Sequence, residues 1–338
     1  MKNREGTPAL PTMAAIAELA GVSKITVSRA LNGSDLVRPE LRERIVEVAR
    51  AAGYRLNVAA RSLRTRRSQT VAVVVEKLVD GERPIADMVL LLLLGGLLEV
   101  LTPADHAMLV TTRDHFLGSL RISADGIIMI GQGQDISRVG EIVATGLPMV
   151  IWGAADAGGA NVVGSDNRRG GYLAAEHLVA TGRRRILFLG DPAHPEVARR
   201  LDGVRDCLAA SEAMLVSVAK CDFSRPGGAR ALEDALAAGL VFDAVIAVSD
   251  YIAAGACDTL IARNLAIPGD VAVIGFDDIS VAANHRPPIS SIRQDWHEAG
   301  RLLANTLLAQ LVEGVEAPHR LLPVELIVRE STGGSLKR

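Results

Sequence analysis

The sequence predicts two folds in one chain: a small all-α domain at the N-terminus, followed by an α/β body built as two parallel-sheet subdomains. Three observations predict it. The 338 residues are 49% apolar and only 3% aromatic, and a dominance of Ala, Val, Leu, Ile and Gly suits helices packed on parallel sheets. The formal charge of −2 conceals a division, because residues 1–70 hold 13 Lys/Arg against 6 Asp/Glu while the remainder holds 24 against 33. A basic end on an acidic body is the pattern of a nucleic-acid-binding module joined to a soluble domain. From Val71 onward, finally, short aliphatic runs alternate with helical stretches, the signature of parallel sheets covered on both faces.

The first element is a helix from Thr12, whose hydroxyl can cap it, through Ala20, with Ile16, Leu19 and Ala20 on one face. Gly21 ends it, since glycine tolerates the positive φ of a tight turn. Ser23 caps a second helix, KITVSRALN, with Val27, Ala30 and Leu31 inward and Lys24, Ile25, Ser28, Arg29 and Asn32 outward. Pro39 opens a third, on which Leu41, Ile45, Val48, Ala49 and Ala52 recur at helical spacing before Gly53. Two helices joined by a Gly turn make a helix-turn-helix. Helical hairpins of this kind also occur in proteins that never touch DNA, but Lys24, Ser28 and Arg29 stand where a recognition helix offers donors to bases and phosphates. Five arginines follow in YRLNVAARSLRTRRSQ: Arg55, Arg61, Arg64, Arg66 and Arg67.

In the body, strands are expected at VAVVV (71–75), MLVTT (108–112), GIIMI (126–130), PMVIW (148–152), RILFL (185–189), AVIAV (244–248) and VAVIGF (271–276). That is more than one ordinary open sheet needs, so two sheets with a cleft between them are expected. The run MVLLLLLGGLL (88–98) is too short to span a bilayer, which takes about 20 residues. It is read as a buried helix on a sheet face. Ligands of parallel sheets sit outside the carboxyl ends of the strands, where Trp152, Gly190-Asp191, Ser249-Asp250 and Asp277-Asp278 fall. Hydrogen-bonding groups and an aromatic converging there suit a hydroxyl-rich molecule such as a sugar. For Asp250 and Asp278, capping of the next helix is an equally good reading.

Carried by IAELAGVSKITVSRALNG, by VRPELRERIVEVARAAGYRLNVAARSLRT and by VGSDNRRGG, RRLDG and GFDD in the body, the chain resembles the lactose-repressor and galactose-repressor (LacI/GalR) family of bacterial transcription regulators. The resemblance implies a periplasmic-binding-protein-like core behind the helix-turn-helix. It also implies that Lys24, Ile25 and Arg29 read bases in the major groove, with Thr26 and Ser28 as further DNA contacts; Asn32 either contacts DNA through a phosphate or caps a helix. Ile25 offers only apolar contact, and Arg29 suits a guanine. NVAARSL matches the family's hinge helix, so that Asn57, Ala60 and Leu63 touch the minor groove and Leu63 is a wedge between base pairs.

In the core the resemblance implies effector contacts from Arg200 in RRLDG, Asp277 in GFDD and Phe223 in CDFS. Ser249-Asp250 stand where an Asn-Asp pair is usual, and Trp152 either stacks on the ligand or plugs the domain interface. A departure lies in the first half of the cleft, where EKLVDGERPIADMV replaces the family's N-P-F-F type segment and only RDHFLGSLRISA separates Thr112 from Asp125; no contacts are carried onto it. The expected organisation is an unstructured 1–11, a helix-turn-helix domain over 12–56, a hinge over 57–69, a core over 70–330 and a tail over 331–338.

The expected activity is that of a cytoplasmic, homodimeric, sugar-responsive repressor of carbohydrate-use genes, bound to a palindromic operator. A sugar-binding transport receptor would instead begin with an export signal and lack the helix-turn-helix. An enzyme has less support: GQGQ (131–134) falls short of a nucleotide loop, and the seven histidines and three cysteines show no metal-ligand spacing. No cofactor and no metal are expected.

Overall fold

The computed structural model describes residues 11–31, 34–54, 67–76, 87–119, 122–154, 161–314 and 319–333. The chain divides into two compact units, residues 1–68 and 69–338. Asn32, Asn57, Ala60, Leu63 and the arginines of 55–66 lie outside the described residues.

In the first unit, α1 (Met13–Ala20), α2 (Lys24–Leu31) and α3 (Pro39–Ala51) enclose a small core of Ile16, Ala17, Ala20, Val27, Ala30, Val37, Ile45 and Ala49. Thr12 Oγ1 accepts from the Ala15 N–H at 3.3 Å. Gly21 takes φ 65°, and its N–H closes the helix on the carbonyls of Ala17 and Glu18. One expectation needs correction: Leu19 is 63% exposed, and Ala17 faces the core in its place. The buried stripe of α1 is therefore set by Ile16, Ala17 and Ala20, at i, i+1 and i+4.

The second unit consists of two lobes. The N-terminal lobe is a six-stranded sheet in the order β11-β5-β4-β3-β1-β2, every pair parallel. Its strands are β1 (Thr70–Val75), β2 (Ala107–Thr112), β3 (Gly126–Ile130), β4 (Met149–Trp152), β5 (Asn161–Ser165) and β11 (Arg320–Leu322). The C-terminal lobe has the order β12-β10-β9-β8-β6-β7, parallel except for β10 against β12. It comprises β6 (Arg185–Leu189), β7 (Met214–Ala219), β8 (Ala244–Ala247), β9 (Ala272–Asp277), β10 (Ser290–Arg293) and β12 (Glu325–Ile327). All seven predicted strands are present. Those not foreseen are edge strands, short strands or serine-rich, as in β7 and in β10, whose Ser290 and Ser291 are fully buried.

The chain passes between lobes three times. β5 leads to α7 (Asn167–Ala180) of the C-terminal lobe. β10 leads to α12 (Trp296–Glu313), whose Ala299 and Leu303 pack with Val71, Val73, Leu93 and Leu97 of the N-terminal lobe. β11 leads back to β12.

MVLLLLLGGLL lies in α4 (Met88–Leu101), capped by Asp87, whose carboxylate accepts from the Val89 N–H at 3.0 Å. Its reading as a buried helix is half corrected. Val89, Leu90, Leu93, Leu97 and Leu101 are inside, whereas Leu91 and Leu98 are each 51% exposed. The leucines run round the whole helix, and the sheet with α12 covers only one side. The C-terminal boundary moves as well: Ser331 and Thr332, assigned to a tail, are buried. Ser331 Oγ accepts from the Ser290 N–H at 2.8 Å and donates to the Val273 carbonyl.

Candidate functional site

On α2, the Ser23 hydroxyl accepts from the Thr26 N–H at 3.1 Å and lies 2.9 Å from Thr26 Oγ1, so Thr26 takes part in the helix cap. With Val27 and Ala30 buried, the helical period turns Lys24, Ile25 and Arg29 to the outside, and Ile25 is 64% exposed. An isoleucine held outward beside a lysine and an arginine makes a surface with both an apolar and a cationic element. Such a face can meet a thymine methyl and base-edge acceptors in one groove.

In the second unit, a cavity of about 570 Å³ opens between the lobes. Every strand that reaches it does so with its carboxyl end, as the parallel topology requires. Glu76 follows β1, Gly131 and Gln132 follow β3, and Trp152 ends β4; from the other lobe come His194 after β6, Phe223 after β7 and Asp277 at the end of β9.

Arg200 is placed by helix packing. It sits on α8 (Pro195–Ala209), which crosses α7 so closely that a Cβ at Gly203 would lie 1.8 Å from the Arg168 carbonyl oxygen, and one at Gly171 1.9 Å from that of Arg200. The R-x-x-G spacing is thus one helical turn that locks the backbone and carries the arginine to the cleft. Its guanidinium lies 3.7 Å from the centre of the Phe276 ring, donates from Nε to Asn167 Oδ1 at 2.8 Å, and donates from Nη1 to the Val248 carbonyl. Stacking and hydrogen bonding together hold a buried cation in one pose.

Asp277, almost fully buried and at φ 104°, accepts from Gln294 Nε2 at 2.7 Å. Phe223 meets His194 edge to face, with centroids 5.1 Å apart. Trp152 and Trp296 are tilted together at 5.2 Å, and both line the cavity. The Trp296 indole N–H has no hydrogen-bond partner among the described residues.

Arg200, Phe223, Asp277 and Trp152 are therefore brought to one cavity. Ser249 and Asp250 are not among its lining residues. Ser249 caps α10 (Asp250–Ala262) through the Ile252 N–H, and the Asp250 carboxylate accepts from the Ile279 N–H at 2.8 Å and from Ser291 Oγ at 2.6 Å. Both are fully buried, and burial together with the neighbouring Asp277 pushes the Asp250 carboxyl well above its ordinary value. They join the loop after β9 to α10, which is the capping alternative. Asp278 is likewise engaged internally, paired with Arg293 at 2.8 Å and Arg329 at 2.6 Å. In VGSDNRRGG, Asp166 caps α7 through the Arg169 N–H, and Asn167 orients Arg200.

Trp152 apart, sequence reasoning missed the wall contributed by the N-terminal lobe. Glu76 is buried there beside Arg138 at 2.7 Å and Arg113 at 3.3 Å. Burial raises its carboxyl and the two guanidiniums oppose the rise. Gln132 braces the adjoining loop by pairing with both the N–H and the carbonyl of Ala154. Trp296, in DWHEAG, was missed too; it opens α12 three residues after β10, a strand the sequence did not reveal, so no signal marked it.

Among the described residues no group of three His, Cys, Asp or Glu could hold a metal ion, and no helix is long and apolar enough to cross a membrane.

Residues 12–57 match the model of bacterial regulatory proteins of the lacI family, and residues 175–332 match that of a periplasmic binding protein-like domain. The chain is 32% identical over 337 residues to the HTH-type transcriptional regulator CelR of Thermobifida fusca, covering 95% of this chain and 98% of that one. It is 33% identical over 340 residues to the HTH-type transcriptional regulator GntR of Pseudomonas aeruginosa, covering 96% and 97%. The solved transcriptional regulator CelR-cellobiose complex superposes with a TM-score of 0.72 at 31% identity, over 95% of this chain and 99% of that one. The lac repressor dimer bound to operator and the anti-inducer ONPF shares the fold, with a TM-score of 0.82 at 23% identity over 95% and 99%. With its helix-turn-helix unit, its two-lobed α/β core and relatives matched from end to end, the chain belongs to the lacI family of bacterial regulatory proteins.

Proposed function

We propose that the protein is a repressor of carbohydrate-use genes, working as a homodimer whose operator binding is set by a saccharide in the interlobe cavity. The observation that carries this reading is the cavity itself. Aromatic rings and buried hydrogen-bonding groups from both lobes line one polar-apolar cleft in a chain that also carries a DNA-binding helix-turn-helix. Phe223, Trp152 and Trp296 offer apolar faces to sugar rings, while Asp277 and Arg200 offer an acceptor and a donor to hydroxyls. The bound cellobiose of the similar CelR structure supports a saccharide as effector. The exposed Leu91 and Leu98 of α4, two turns apart on the side of the helix away from the core, form an apolar surface suited to a second subunit.

The mechanism follows from linkage: a ligand touching both lobes prefers one relative arrangement of them, and operator affinity changes by the same coupling free energy. Binding, rather than bond-making, is the activity.

Both tryptophans of the chain line the cavity, so intrinsic fluorescence reports its occupancy directly. Titration with a saccharide panel, followed by operator binding with and without the responding sugar, tests the proposal. A fluorescence change with no effect on operator binding would leave a sugar-binding protein without regulation.

A further inference from the structure

The charges around the cavity carry an inference about the class of ligand, resting on the effector reading above. Its described lining contains four carboxylates, Glu76, Asp87 and Asp277 buried and Glu196 half-buried, against one guanidinium, that of Arg200. The outer cluster around Glu76 does not reverse this sign. Arg113 and Arg138 face Glu76, but Asp114 lies 2.6 Å from Arg113 and 3.8 Å from Arg138, and Glu141 pairs with Arg113. Three carboxylates thus share two guanidiniums.

Glu76 is built into the wall. Gly131 and Gly133 turn around it at positive φ, and a Cβ on Gly133 would lie 3.3 Å from its Cγ. Its side chain is 2% exposed, and Oε2 has no hydrogen-bond partner among the described residues, although Arg113 Nε is 3.3 Å away. The Trp296 N–H, also buried and unpartnered, serves an uncharged oxygen as well as an ionised one. Carboxylates accept hydrogen bonds from sugar hydroxyls at little cost, whereas a second anion brought among them is repelled in a medium that screens poorly.

We propose that the cleft selects uncharged polyhydroxylated ligands and rejects sugar acids and sugar phosphates, and that Glu76 is the specificity-determining residue on the N-terminal lobe. The neutral ligand is held by its hydroxyls; the acid loses through like charge. Removing the charge of Glu76 leaves Asp114 and Glu141 matched against Arg113 and Arg138, so the wall loses its excess negative charge and no longer repels an anion.

The test uses the full chain and tryptophan fluorescence, with glucose, cellobiose and maltose against glucuronate, cellobionate, maltobionate and glucose 6-phosphate. The neutral sugar that binds is expected to exceed its own acid at least tenfold in affinity. Because buried charges are screened far less than exposed ones, raising the salt should narrow that gap only slightly while leaving the neutral sugar unchanged, a reading on the wild type that needs no variant. In Glu76→Gln the gap is expected to shrink to within about threefold, in line with loss of one poorly screened like-charge contact.

An acid that binds as tightly as its neutral parent overturns the class assignment. A gap that persists unchanged in a folded Glu76→Gln overturns the role of Glu76. If an acid alone binds and alters operator affinity, the effector reading stands and this inference fails. If no saccharide of either kind binds, the effector reading fails together with it.

Discussion

Gly203→Ala is a direct test of how the cleft is assembled. The added methyl would lie 1.8 Å from the Arg168 carbonyl oxygen, where a carbon and an oxygen normally stand about 3.3–3.6 Å apart. The obstacle is helix backbone, which has no rotamer with which to step aside, so α7 and α8 must part by about 1.5 Å. Overpacking of this kind costs roughly 3 kcal/mol, the upper end of the usual range. For a domain of this size each kcal/mol lowers Tm by about 2–4 °C, so a fall of roughly 6–12 °C is expected in a circular-dichroism melt. Arg200, one turn before the glycine, moves with the helix, and saccharide affinity read by fluorescence should fall alongside. Asp206→Asn, on the same helix, is the comparison: it removes an ion pair to Arg168 between side chains 42% and 60% exposed, and should leave Tm close to that of the wild type. A Gly203→Ala protein that melts within a degree of wild type would refute the close-packing account of the R-x-x-G spacing.

Three further outcomes are expected. Arg29→Ala, on the exposed face of α2, should cost about 1–3 kcal/mol at one operator base pair and leave the others unchanged, as read from a panel of single-base operator variants; a uniform loss would make Arg29 a phosphate contact instead. Ser331→Ala strands the Ser290 N–H and the Val273 carbonyl and should destabilise by about 1–3 kcal/mol in urea, whereas truncation of a true tail would change nothing. Burial pushes the Cys221 thiol up to about 12 from its ordinary 9.0, so it should resist thiol reagents at pH 8 until the protein is unfolded. Because the folded value lies above the unfolded one, its contribution to stability is present below pH 9 and lost as the pH climbs toward 12. Cys221→Ser should remove that part of the alkaline decline in Tm.

Aliphatic strands such as GIIMI and RILFL were legible because burial on both faces writes itself as an unbroken run. The same logic placed Trp152 and Asp277 at strand ends. It could not distinguish Ser249 and Asp250, whose sequence position is equally favourable but whose side chains turn inward to cap α10 and to hold Ser291 and the Ile279 N–H. Capping and ligand contact ask for the same small polar residues at the same place, and only the partner decides. Glu76 was illegible for another reason: its meaning lies in Arg113 and Arg138, which reach it from α5 (Arg113–Gly118) and α6 (Ser137–Val143), far along the chain. The paired serines of β10 hid a strand because their hydroxyls are satisfied by residues distant in sequence, that of Ser290 by the Arg329 carbonyl and Thr332 and that of Ser291 by Asp250.

The three passages of chain between the lobes adjoin one another at the sheet edges. Ser165 is in register with Leu322, the Asp166 N–H bonds to the Leu322 carbonyl, and Arg293 is in register with Glu325. Three straps side by side act as a door hinge rather than a tether. The mouth of the cleft can widen on the side of β2 and β7 while the strapped side stays shut, so entry of a ligand is confined to one direction. A protease that cuts one strap leaves two in place, and the nicked protein should keep its lobes together and its cavity intact. Neither lobe is a continuous stretch of sequence, so no single truncation would release one of them whole.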